Sequence, residues 1–148
     1  MKLLFGGLIA IILLGLYFYA TLLAVLAAYN GNPALFTPGI AATMTTVGGL
    51  VSALVIAELA VTNPGEAPGT RALTKAAAGD TVSEQSKKVL TWISSAYVMI
   101  WIVLGLSAYI VGVMEKPDTV AALTSHGQAW LGLAVASAYA YFGLTPEK

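Results

Sequence analysis

The sequence predicts an all-α integral membrane protein, an antiparallel bundle of four transmembrane helices, and three observations carry that prediction. First, 58% of the 148 residues are hydrophobic and only 9% are charged, against roughly 25% charged in an ordinary soluble domain. Second, four apolar stretches, residues 3–28, 39–61, 89–114 and 120–143, are each about 23 to 26 residues long, enough to cross a hydrocarbon core of about 30 Å. Third, turn-forming residues, proline among them, fall between these stretches. The spans leave about 49 residues for ends and connections, fewer than a compact soluble domain of about 50 or more needs. Residues 1–148 therefore read as a single membrane domain.

The elements follow in order from their punctuation. Asn30, Gly31, Asn32 and Pro33 close the first span, and Pro38 with Gly39 opens the second. A small-residue pair at Val25-x-Ala27 would suit signal cleavage, but a signal core has about 7 to 15 apolar residues and this run is longer, so the first span is expected to be retained as a helix. Asn63-Pro64-Gly65 ends the second span. Residues 62–88 then form a loop, with one turn of helix expected around residues 71–78. Thr81-x-x-Glu84 reads as a capping box, in which hydroxyl and carboxylate each accept from an orphan helix N–H, so the third helix starts before its apolar part. Lys116-Pro117-Asp118 separates the third span from the fourth.

Orientation follows from the basic residues. With the N-terminus inside, Lys2, Arg71, Lys75, Lys87, Lys88 and Lys148 face the cytoplasm and only Lys116 lies outside. Cytoplasmic enrichment of Lys and Arg favours this arrangement. The expected location is the inner cell membrane, multi-pass, with both termini and the 62–88 loop cytoplasmic.

Helices in lipid associate through close backbone approach, so small residues at every fourth position mark candidate contact faces. Span two carries Ala41, Thr45, Gly49, Ala53 and Ala57; span one Ala20, Ala24 and Ala28; span three Gly105, Ala108 and Gly112; span four Gly132, Ala136 and Ala140. Most of these are expected to close the bundle within one chain. A stripe on every helix exceeds what four helices need, which favours a homo-oligomer or a place in a larger membrane complex. Trp92, Tyr29, Phe36, Tyr139, Tyr141 and Phe142 sit at span ends, as interfacial anchors do. Trp101 and Trp130, nearer mid-span, are expected to fill gaps between helices or face lipid.

Two ionisable residues lie within spans, Glu58 and His126, and such groups are the first place to look for function. From the helical rise, Glu58 lies about 12 Å inside the midplane and His126 about 8 Å outside it. About 20 Å of depth separates them, so a shared acid–base or metal site is excluded within one chain. Glu58 is expected to snorkel or to pair with Arg71 or Lys75, and His126 to hydrogen-bond across a helix interface, with a pH-sensing role as the functional alternative. His126, Trp130, Leu133, Ser137 and Tyr141 share one face at 4-3-4-4 spacing, so if any helix faces something polar it is expected to be span four.

Residues 43–49, T-M-T-T-V-G-G, resemble the T-x-T-T-V-G core of potassium-channel filters over about six residues. A filter needs a re-entrant loop shielded by protein, whereas this run lies inside a continuous span and lacks the aromatic-Gly-Asp that follows in filters. The hydroxyls are read as bonded to their own helix and the glycines as packing. The polar groups of span two also fail to share a face: at about 100° per residue with Thr45 at zero, Ser52, Thr46, Thr43 and Glu58 fall at roughly −20°, 100°, 160° and −140°. A wide pore lined by span two is not expected.

The remaining chemistry is excluded by composition. The chain has no cysteine and one histidine, and seven Lys+Arg balance seven Asp+Glu. Disulfides, thiolate catalysis and Cys-ligated metals are impossible, and no basic surface exists for nucleic acid. No nucleophile–base pair, phosphate loop or inverted repeat is present, so neither an enzyme nor a cofactor is expected. The compact format, four spans without an extramembrane domain, looks like that of phage holins and phage exclusion proteins, a likeness of format carried by no motif. It implies a self-associating protein that alters membrane permeability, holin-like or a small channel. The alternative is a non-catalytic accessory or assembly subunit of a larger membrane complex.

Overall fold

A computed structural model describes residues 2–61 and 84–143, which are mostly helical and contain no strand. The long helices are α1 (Lys2–Tyr29), α2 (Pro38–Val61), α3 (Glu84–Tyr109) and α4 (Ala121–Phe142). Most of the 62–88 loop, including Thr81 of the capping box and the expected turn at 71–78, lies outside the described residues, as do 144–148. Glu84 does begin α3, ahead of the apolar span, and its carboxylate pairs with Lys87 at 3.0 Å on an exposed turn.

The helix ends form for identifiable reasons. At the end of α1, Gly31 takes φ +63°, and Asn32 N–H donates back to Ala27 O at 2.9 Å. This six-to-one bond around a left-handed glycine stops the helix and satisfies a terminal carbonyl. Thr37 then accepts from Ile40 N–H at 3.3 Å, and Pro38 at the first helical position has no N–H to strand. Gly143, at φ +66°, ends α4 in the same left-handed manner as Gly31.

The C-terminal end of α3 widens into a π-helical turn, Ile110–Glu115, in which Lys116 N–H donates to Val111 O at 2.8 Å. The next donor in that series would serve Gly112 O, but residue 117 is proline and has none. Thr124 of α4 supplies it: its hydroxyl donates to Gly112 O at 2.7 Å and accepts from Asp118 N–H at 3.2 Å. Asp118 sits at φ 62° to make the turn. One threonine thus ties the α3–α4 corner together and removes an orphan carbonyl.

Three helical stretches are long and apolar enough to cross a membrane: Phe5–Tyr29, Pro38–Ala60 and Lys87–Glu115. The fourth helix does not meet that measure, because Thr124, Ser125, His126 and Gln128 crowd its first third. The outer surface is nonetheless apolar, with Leu8, Ile9, Ile12, Leu16, Met99, Val103 and Val135 all exposed. Such a surface is compatible with a lipid environment.

Between the helices the contacts are close. α1 packs on α2, α2 on α4, and α3 on α4. Gly112 meets Leu123 and Gly105 meets Trp130, so α3 and α4 run in opposite senses. The core comprises Tyr17, Ala20, Ala24, Ala27 and Ala28 of α1, Met44, Val51 and Val55 of α2, Trp101, Leu104 and Ala108 of α3, and Leu123 and Trp130 of α4. The predicted stripes of α1 (Ala20, Ala24, Ala28) and of α3 (Gly105, Ala108, Gly112) lie in it.

The stripes of the other two helices do not. Thr45, Gly49, Ala53 and Ala57 are exposed, and only Ala41 at the top of that line is half-buried. Gly132 and Ala136 are exposed too, with Ala140 half-buried. The reason is geometric. A strict four-residue step advances about 40° beyond a full turn, so sixteen residues wind about 160° around the helix. The buried face of α2, Met44, Gly48, Val51 and Val55, alternates steps of four and three and stays in phase. The small-residue line of α2 consequently leaves the bundle and points outward.

Candidate functional site

The buried polar side chains gather where all four helices meet. From α1, Tyr17 and Thr21 are each 0% exposed; from α2 comes Ser52, from α3 Trp101, and from α4 His126 and Trp130. The α4 members belong to the 4-3-4-4 face read from the sequence, and that face turns into the bundle: Ser137 is buried and Leu133 and Tyr141 half-buried.

Tyr17 Oη lies 2.6 Å from His126 Nε2, the shortest of the buried side-chain hydrogen bonds among the described residues. It joins the first helix to the last. The rings meet edge to face, centroids 5.4 Å apart at 68°, a favourable aromatic geometry. Gly48 of α2 makes this possible. A Cβ there would stand 2.8 Å from His126 Cε1 and 2.9 Å from Tyr17 Cε2, closer than side chains approach, so the missing side chain is the space both rings occupy.

One helical turn along, Trp101 Nε1–H donates to Ser52 Oγ at 2.9 Å. Its ring tilts against that of Trp130, centroids 5.6 Å apart, and Trp130 lies in the notch left by Gly105. Trp101 and Trp130 thus fill the gap between helices. Trp92, by contrast, is 78% exposed near the start of α3, where an interfacial anchor would stand. Thr21 Oγ1, Tyr97 Oη and Trp130 Nε1 are buried without a hydrogen-bond partner among the described residues.

The two ionisable residues picked from the sequence are not brought together. His126 is level with Gly48, and Glu58 is ten residues further along α2, about 15 Å by the helical rise. Glu58 is half-buried, and Arg71 and Lys75 lie outside the described residues. Two of the three hydroxyls of the filter-like run bond to their own helix as expected, Thr43 to Gly39 O at 2.8 Å and Thr45 to Ala41 O at 3.1 Å. Among the described residues no group of three His, Asp or Glu side chains is placed to hold a metal.

The sequence identified His126 as bonded across a helix interface but missed its partner. Tyr17 carries a usable signal only in hindsight of spacing: Tyr17, Ala20 or Thr21, Ala24 and Ala27 or Ala28 repeat every three or four residues and so define the inward face of α1. Ser52 carried none, because a serine in an apolar helix most often bonds to its own backbone. Comparison with family models, with curated proteins and with solved structures found no match for this chain.

Proposed function

We propose that the chain is a non-enzymatic, four-span protein of the inner cell membrane that self-associates and, once assembled, alters membrane permeability. In this reading α4 is the fourth span, with His126 of its polar first third buried against the other helices while Ser125 and Gln128 stay exposed, and both termini and the 62–88 loop are cytoplasmic. The observation that carries the reading is the outward placement of Thr45, Gly49, Ala53 and Ala57. With nothing within 4 Å of a Cβ at Gly49, this line offers another helix the close backbone approach that drives association in lipid. Aromatic rings occupy the interior of the bundle, so a permeation path would form between copies.

The same exposed line would serve a larger complex if the chain is an accessory subunit, and expression alone separates the two. Induced expression of the intact chain is expected to depolarise cells and admit an otherwise excluded dye, and Ala53→Leu or Gly49→Leu to abolish this at equal protein level. Full membrane potential at good expression would sink the permeability reading and favour the accessory one.

A further inference from the structure

We infer that the Tyr17–His126 contact is a proton-sensitive latch that holds α1 against α4. The contact is built for that position. Tyr17 reaches across α2 through the space at Gly48, and this buried bond between helices contains a titratable acceptor while that from Trp101 to Ser52 does not.

The chemistry of the imidazole gives the bond two forms. Neutral His126 with Nε2 unprotonated accepts the proton of the Tyr17 hydroxyl. Imidazolium donates from both nitrogens, so Tyr17 must turn its oxygen toward Nε2–H and send its own proton elsewhere. The oxygen at hand is Thr21 Oγ1, one turn along α1, buried and without a partner among the described residues. Hydrogen bonding can therefore follow the added proton, but among the described residues no carboxylate pairs with the ring to balance the added charge. At His126 itself, α1 offers Tyr17 and α2 offers Gly48, while α3 approaches the adjacent Gly127 with Ala108 and Tyr109. The nearest charged residues along the chain are Asp118, Lys116 and Glu115, eight or more residues before His126, and Glu58, ten beyond Gly48. Charging His126 is thus coupled to parting α1 from α4 so that water reaches the ring, a form of switch that histidine suits because it titrates between pH 5 and 8 when unperturbed. The latch rests on the permeability reading only for what it would regulate.

The chain has no cysteine, so a pair of spin labels can be placed without background. Leu16→Cys on α1 and Gln128→Cys on α4 both lie at exposed positions beside the contact. In the full chain reconstituted in phosphatidylethanolamine–phosphatidylglycerol vesicles, the ratio of separated to joined distances is expected to rise between pH 7.5 and 5.5, by up to about tenfold per unit for a single proton. His126→Gln, which keeps a bond to Tyr17 but does not titrate, should hold the short distance at both values. Tyr17→Phe should show the longer distance already at pH 7.5. An unchanged distribution in the parent, or the same shift in His126→Gln, would overturn the latch. Dye release from the same vesicles, following the separated population, would extend it to permeability; a pH-dependent distance with no release at any pH would leave the latch standing and overturn the permeability reading instead.

Discussion

Replacing Gly105 by alanine is expected to destabilise the protein strongly. A Cβ at this position overlaps the Nε1, Cε2 and Cδ1 atoms of the Trp130 indole. The indole has no easy retreat, because it is 5% exposed and its other side meets the Trp101 ring. Overpacking of this kind costs about 1 to 3 kcal/mol or more. The better helix propensity of alanine returns at most about 1 kcal/mol. Equilibrium unfolding in mild detergent should therefore register a net loss of about 2 kcal/mol, taking the upper end of that range for so deep an overlap. Shrinking the partner makes the test specific: in a Trp130→Leu background the same Gly105→Ala change should become close to neutral. An equal loss in both backgrounds would mean that the glycine serves the backbone and not the indole.

The second large effect is a contrast between neighbours. Gly48 and Gly49 are adjacent in sequence, yet a Cβ at 48 would press on both rings of the Tyr17–His126 pair while a Cβ at 49 meets nothing within 4 Å. Gly48→Ala should break a 2.6 Å hydrogen bond as well as strain the packing, for a loss of about 1 to 3 kcal/mol. Gly49→Ala should be neutral or stabilising by up to about 1 kcal/mol within the monomer. Thermal denaturation of the two variants side by side in micelles checks this directly. Losses of similar size at both positions would contradict the packing described for α2.

The helices themselves were legible because their causes are local. Glycine and proline at 31, 33, 38 and 143, together with Thr37, act within a turn of where they stand, and the expected spans agree with α1 to α4 to within about one to five residues. The fourth span reads as apolar like the other three, but the Thr124-Ser125-His126 cluster that marks its polar face keeps it below the measure the other three meet. Which face of α2 enters the bundle was not. The four-residue repeat of small residues is the most visible pattern in that helix, but the in-phase seven-residue set around Gly48 is what packs, and its members, Met44, Val51 and Val55, look like any apolar residues. The partner of His126 was hidden for a related reason. A contact 109 positions apart in sequence depends on which faces of three helices meet, and no local rule supplies that. The π-helical turn at the end of α3 could be anticipated only in part: Pro117 removes a donor, but the hydroxyl that replaces it comes from the next helix.

The outward face of α2 as an association surface is the claim on which the functional reading turns, and it can be probed without reference to permeability. In membranes from cells expressing the full chain, Ala53→Cys should form a disulfide-linked dimer on mild oxidation, while Ile12→Cys, on the exposed apolar side of α1, should form little or none. Absence of the Ala53→Cys dimer, or equal dimer yield from the two positions, would contradict self-association through that face.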